Sequence, residues 1–376
     1  MTILLDDGDV IDRIFSHMDE KTTDLGDDVW HEPTENYQSP ERFATEIDLL
    51  RRLPVPFCPS AALPENGSFV ARTAAGTPLV VVRGDDGVVR AFRNVCRHRG
   101  MAVAEGSGCA RAFVCPYHAW TYGLDGRLKY IPGADGFPGL DPEEHGLVPV
   151  TAEERGGIIF VTQAAPLSTA SLETIPELFS PEQRLFDQSE LVDEANWKII
   201  AETSMEGYHI KSLHNRTFYP YGLDNVNLVE IFGPNSRITF PFRRIEKLRS
   251  IPREKRRIDG MVTYVYQLFP NAHVSVLSNH SVLTILEPIT PSRTRYVFYR
   301  MSNGNGDNPK NALAEARRDV EFVKDSGLQE DRDAACAIQE GLDSKANSHF
   351  TFGHFEKAIV HFHRMLRDTL ILEPGP

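Results

Sequence analysis

Two cysteine–histidine pairs stand close together in this chain of 376 residues: Cys96-Arg-His98 and Cys115-Pro-Tyr-His118, with sixteen residues between His98 and Cys115. Thiolates and imidazoles in equal number, carried on two neighbouring loops, suit a [2Fe–2S] cluster of the Rieske type. Cys96 and Cys115 would take one iron, and His98 and His118 the other. Replacing two thiolates by neutral imidazoles raises the reduction potential, so such a centre accepts an electron from a ferredoxin or flavin and passes it on. Structural zinc is the competing use of two Cys and two His. Its usual signature is a Cys-x-x-Cys type pair followed by a His pair, whereas each loop here mixes the two residue types. Gly100 and Pro116 permit tight loops over a cluster. Asp125-Gly126 marks a hairpin turn just beyond the second loop.

A second run carries different chemistry: Glu206-Gly-Tyr-His209-Ile-Lys-Ser-Leu-His214. Two histidines behind a carboxylate can bind a divalent metal. On a regular helix a five-residue step turns the side chain by about 140°, so the two imidazoles converge only if the helix ends or distorts between them. Ser212 and Asn215 permit that. Two His and one carboxylate on one face, with open positions opposite, is the arrangement of non-haem Fe(II) oxygenases. The carboxylate must come from elsewhere in the chain. Asp331, in a helical stretch near the C-terminus, is the choice, with Glu330 and Asp333 as neighbours not separated from it by sequence alone. Taken by itself a His-x4-His pair is more often a satisfied surface or core pair. An electron-transfer centre upstream changes that weighting, because a donor needs an acceptor.

The elements that position these residues follow from pattern. Residues 1–52 are polar and partly helical, with helical spacing over 40–53. From 53 to 165 short β-rich runs alternate with Gly and Asp-Asp-Gly turns, which predicts an all-β domain around the cluster. A linker over 165–179 leads to a second domain, 166–376, in which strands are followed by helices. That order indicates an α+β domain. Ser302–Asn311 reads as a surface loop. Phe218, Tyr219, Tyr221, Phe240, Phe242, Tyr264 and Tyr266 are candidates for a substrate pocket, suited to a flat ring or a cationic head group. His273, His280, His361 and His363 read as structural.

At these residues the chain resembles the α subunits of Rieske non-haem iron aromatic-ring-hydroxylating oxygenases, over nearly its whole length. Cys96-x-His98 with Cys115-x2-His118 matches the cluster motif. Asn196-Trp197-Lys198, Glu202 and Glu206-x-Tyr208-His209-x4-His214 match the opening of the catalytic domain. Asp331 with Gln339-x-Gly341-Leu342 matches the helix that supplies the carboxylate. The resemblance implies a helix-grip-type catalytic domain, an antiparallel sheet flanked by helices, on which the N-terminal segment packs. It implies Fe(II) on His209, His214 and Asp331, with O2 as co-substrate. It also implies a reductase or ferredoxin donor fed by NAD(P)H and a homotrimer, α3 or two stacked trimers. In such a trimer Glu206 would bridge His209 to His118 of the next subunit. Glu206 in place of Asp, and Thr203 in place of the common Asn after Glu202, depart from the naphthalene-dioxygenase pattern, and a Glu bridge resembles the choline and carnitine monooxygenase branch. The expected activity is therefore monooxygenation or dealkylation of an aromatic or N-/O-alkyl substrate, with aromatic cis-dihydroxylation as the alternative.

Two rivals from other classes remain: an electron-transfer protein with no second iron, and a zinc-stabilised binding protein. The net charge of −13 argues against a nucleic-acid partner, which needs a basic face. No apolar run approaches the roughly 18 residues of a membrane span, and an acidic N-terminal stretch is unlike a signal peptide. A cytoplasmic protein is expected. Cys58, Cys109 and Cys336 suggest no disulfide framework.

Overall fold

The computed structural model describes residues 4–303, 309–323 and 327–371. Half of the loop expected at 302–311, residues 304–308, lies outside them, and a helix begins at Pro309. Contacts divide the chain into two compact units. One comprises Met1–Leu49, Thr169–Thr174 and Glu182–Pro376; the other comprises Leu50–Ser168 and Ile175–Pro181. The linker expected over 165–179 is therefore not a single hand-over: 165–168 and 175–179 belong to the smaller unit and 169–174 to the larger.

The smaller unit is built from a seven-stranded antiparallel sheet. Its strand order is Val55–Pro59, Ile158–Thr162, Pro149–Arg155, Val89–Arg93, Thr77–Arg83, Ser68–Ala74 and Gly106–Cys109. Val55–Pro59 and Ile158–Thr162 are buried at every residue, which explains their continuous apolar runs. A second, three-stranded sheet pairs Phe113–Val114, Thr121–Tyr122 and Leu128–Tyr130. Its hairpin turns through Gly126 at φ +82. A Cβ there would sit 2.3 Å from the Phe92 ring, so only glycine serves. Phe92, Phe113, Trp120, Tyr122 and Leu124 form one core cluster with the two cysteines Cys96 and Cys115.

The larger unit carries a second seven-stranded antiparallel sheet. The order is Arg184–Asp193, Arg293–Ser302, His280–Thr290, Ala272–Val276, Val262–Leu268, Asn235–Pro241 and Leu228–Phe232. Helices Asp7–Glu20, Trp197–Thr203, Pro309–Val323, Gln329–Leu342 and Lys357–Ile371 flank it. This is the expected α+β arrangement. The N-terminal helix starts at Asp6, whose carboxylate accepts from Asp9 N–H. It buries Val10, Ile11, Ile14 and Phe15 against Leu228, Ile245, Leu248 and Val262.

Asn196-Trp197-Lys198 proves to be an anchor. Asn196 caps the helix Trp197–Thr203 by accepting from Lys198 N–H, and its own N–H donates to Gln339 Oε1 at 2.8 Å. Lys198 is wholly buried. Its Nζ donates to Glu46 Oε1 at 2.7 Å and to Asn36 O at 2.9 Å, while Trp197 Nε1 donates to Glu46 Oε2. The first turn of this short helix is thus pinned, which sets the direction in which the chain runs on toward Glu206.

Candidate metal centres

The two cysteine–histidine loops have the same backbone design. Cys96 N–H donates to Met101 O, and Gly100 N–H donates back to Cys96 O. Cys115 N–H donates to Trp120 O, and Ala119 N–H donates back to Cys115 O. In each loop the fourth residue after the cysteine has positive φ, +84 at Gly100 and +57 at Ala119. Both cysteines are buried and free. The His98 and His118 ring centroids lie 4.7 Å apart, so the loops present their imidazoles together. His98 stacks on Trp120 and His118 on Tyr117.

The donor chemistry fits a mixed thiolate–imidazole cluster. His98 Nδ1 is buried without a hydrogen-bond partner. Desolvation, then the charges of His118 and Arg99, hold His98 below its ordinary pKa, which favours the neutral, ligating form. Tyr122 Oη accepts from Arg97 N–H at 2.9 Å. Its own hydrogen is then free to point at Cys96 Sγ, 3.2 Å away. Cys109, between the loops in sequence, is an exposed residue of an edge strand.

In the larger unit the helix after Glu206 is a single turn, Ile210–Leu213, with His209 and His214 at its two ends. The angular mismatch of a five-residue step disappears because there is no regular helix to impose it. His209 Nε2 and His214 Nε2 lie 3.2 Å apart. Asp331 Oδ1 lies 3.0 Å from His214 Nε2 and 3.5 Å from His209 Nε2. Adjacent ligands on an ion bonded at about 2.1 Å are about 3 Å apart, so these three atoms sit at the separations of one face of a coordination sphere.

Both rings are turned by carboxylates. Glu206 Oε1 pairs with His209 Nδ1, and Glu206 Oε2 accepts from the backbone N–H of Tyr208 and His209. His214 Nδ1 lies 2.7 Å from Glu330 Oε2, which also accepts from Thr217 Oγ1 at 2.7 Å. With both Nδ1 atoms donating, the Nε2 lone pairs face each other and Asp331 Oδ1, which is buried without a hydrogen bond. Such a cluster calls for a cation. The pKa directions have the same origin. Burial pulls His209 down, but Glu206 and Asp331 hold it above its ordinary value. Burial pulls His214 down, but Asp331 and Glu330 raise it. Of the three neighbouring acids, Asp331 joins the histidines and Glu330 orients one of them. Asp333 instead accepts from Gln329 Nε2 at 2.7 Å.

The triad opens into a cavity of about 720 Å³. Phe218, Tyr221, Phe240 and Phe242 line it as expected. Tyr264 and Tyr266 do not. Side chains alternate along a strand, and here Thr263 and Val265 face the cavity. Tyr264 packs with the N-terminal helix cluster, and the Arg237 guanidinium lies over both tyrosine rings. Tyr219 is also outside, beneath Arg243 and Lys211. His273 and His280, read as structural, line the cavity with Tyr296 and Phe298. Strand phase sets His273 with Ser275, and His280 with Val282 and Thr284, on the cavity face. His363 lies elsewhere, with Nε2 2.8 Å from Glu202 Oε1.

The family model for the ring hydroxylating alpha subunit (catalytic domain) matches residues 184–371, and the Rieske [2Fe–2S] domain matches residues 54–142. The chain belongs to this family of Rieske-domain ring-hydroxylating α subunits. The two matched domains imply a Rieske cluster and a mononuclear non-haem iron. The carnitine monooxygenase oxygenase subunit of Escherichia coli K12 is 28% identical over 348 residues, covering 82% of this chain and 84% of that one. The glycine betaine monooxygenase oxygenase subunit of Chromohalobacter salexigens is 38% identical over 159 residues, which span 40% of this chain and 36% of the relative. The fold is shared with a quaternary ammonium Rieske monooxygenase, CntA, at TM-score 0.78 and 22% identity, covering 92% of this chain and 96% of that one. It is shared also with a naphthalene 1,2-dioxygenase at TM-score 0.74 and 18% identity, covering 90% and 92%. Among the described residues no helix is long and apolar enough to cross a membrane.

Proposed function

We propose that the chain is the terminal oxygenase component of a multicomponent system. It uses O2 and electrons from a separate reductase or ferredoxin to mono-oxygenate or dealkylate an organic substrate. The observation that carries this reading is the triad His209, His214 and Asp331. Its three ligand atoms are mutually 3.0 to 3.5 Å apart at the wall of a substrate-sized cavity, in a chain that also holds Rieske loops. An electron-transfer protein would have no use for it.

Cys96, Cys115, His98 and His118 would hold the cluster, and His209, His214 and Asp331 the Fe(II). When bound, these groups supply single-electron transfer and O2 activation. The chain's own residues do the rest. Glu206 and Glu330 fix the tautomers of the two liganding imidazoles. Phe218, whose ring centroid is 5.1 Å from that of His214, and its apolar neighbours keep water from the site. Glu206 accepts three N–H groups, while a carboxylate has about four acceptor positions. One remains for His118 of a second copy, which supports a homotrimer in which Glu206 links the two centres.

The relatives named for carnitine and glycine betaine favour monooxygenation over dihydroxylation. Turnover under 18O2 with a reducing partner tests this. One labelled oxygen atom in the product, or in the aldehyde-forming intermediate it derives from, is expected; two labelled atoms in one product would contradict it.

A further inference from the structure

The cavity holds polar groups that the oxygenase chemistry does not use. His280 lies at the start of the strand His280–Thr290, and its Nδ1 is 2.8 Å from Asp319 Oδ2. The same oxygen accepts from Asn279 N–H at 3.2 Å. An oxygen that accepts a backbone N–H accepts from the imidazole as well, so Nδ1 carries the hydrogen and Nε2 the lone pair. Among the described residues Nε2 makes no hydrogen bond, and His280 lines the cavity. His273 is a second such group. It lines the same cavity, its Nδ1 is buried without a partner, and burial pushes it down to about 4.

The rest of the wall is mainly apolar, with Phe240, Val265, Leu277, Val282, Tyr296 and Phe298. The acids that line it are Glu206, Asp319 and Asp331. Each is committed to a histidine. Two lining aromatic rings already carry a guanidinium: Arg244 over Phe242 at 4.6 Å and Arg300 over Phe298 at 4.9 Å. Two of the aromatic faces that a quaternary ammonium head could use are thus taken by arginines, and no carboxylate of the wall is left uncommitted to balance its charge. A small zwitterion would also leave most of the 720 Å³ unfilled, in a range that suits a drug-sized ligand.

We propose that His280, held by Asp319, is the substrate-recognising residue of this cavity. Its ligand is a bulky, mainly apolar molecule whose hydroxyl donates to His280 Nε2, not a compact quaternary ammonium zwitterion. This rests on the oxygenase reading for the role of the cavity, but its test does not require turnover.

The probes are 4-cumylphenol, its methyl ether and glycine betaine, titrated calorimetrically into the metal-loaded protein without an electron donor. The phenol is expected to bind about tenfold tighter than the ether, the value of one hydrogen bond in a dry site. Glycine betaine is expected to be the weakest. His280→Phe keeps the bulk but removes the acceptor. It should bring the phenol to the affinity of the ether while leaving the ether unchanged. Equal binding of phenol and ether to the natural chain, tighter binding of glycine betaine, or a preference that survives His280→Phe would overturn the proposal. If His280→Phe does not fold, judged by melting and by the visible spectrum, the comparison on the natural chain decides. Should the oxygenase reading fail instead, product formation is lost while the phenol preference stands.

Discussion

Glu330 Oε2 lies 2.7 Å from Nδ1 of His214, whose Nε2 is 3.0 Å from Asp331 Oδ1. Two successive residues of one helix thus serve the two nitrogens of one imidazole. One sits at the spacing of a shared metal ligand from it, and the other fixes its tautomer and ring plane.

Removing that second contact should weaken the metal site without touching the cluster. In Glu330→Ala the Fe(II) affinity, measured against a competing chelator, is expected to fall about 10- to 100-fold. The visible spectrum of the cluster should be unchanged. An unaltered affinity would mean that Glu330 is an ordinary surface partner of His214.

The hydroxyl of Tyr122 should tune the cluster. It accepts from Arg97 N–H and faces Cys96 Sγ at 3.2 Å, and hydrogen bonds to a ligand sulfur raise the potential. A bond worth about 1 kcal/mol more to the reduced state corresponds to about 40 mV for one electron. Tyr122→Phe is expected to lower the midpoint by that order in a redox titration. No change would show that the hydroxyl serves the loop backbone alone.

Glu356 gives a pH signature. Burial pushes it up to about 7, opposed by the Gly353 N–H and aided by the charges of Glu206 and Glu202. Its folded pKa lies above its unfolded one. The stability it allows is therefore complete at low pH and is lost as pH rises from the unfolded value through about 7. Glu356→Gln should be close to the natural chain in melting temperature at pH 5. At pH 8 it should be more stable, by on the order of 1 kcal/mol after allowance for partial exposure. A difference independent of pH would refute this.

The pair Lys198–Glu46 is a liability if split. Lys198→Met leaves the buried Glu46 with only Arg42 and Trp197 as partners and should cost about 3–5 kcal/mol in denaturant unfolding. Replacing both residues by Met should recover much of that loss. Equal losses in the single and double variants would show that packing, not charge, sets the cost.

What the sequence discloses, and what it hides, follows from distance along the chain. Cys96, His98, Cys115 and His118 stand out as candidate ligands because each of two short loops carries one cysteine and one histidine. His209 and His214 are readable as residue types, but their convergence depends on the helix stopping after Leu213. Glu330 and Asp331 could not be separated because adjacent helical residues differ by only about 100° in direction; both turn out to serve His214. Aromatic character alone does not place Tyr264 and Tyr266, because strand phase decides which face each takes. The same phase turns Thr263 and Val265 inward. His280 carries no local signal, because its partner, Asp319, lies on a helix 39 residues away.

The most direct test of the central claim is iron and acid-labile sulfide analysis, with EPR spectra after dithionite reduction, of the natural chain beside Asp331→Ala. About three irons and two sulfides per chain are expected for the natural protein, with a Rieske-type reduced signal. About two irons, with the same sulfide and the same signal, are expected for the variant. A variant that keeps its third iron, or a natural chain that holds zinc and no sulfide, would contradict the assignment of the two centres.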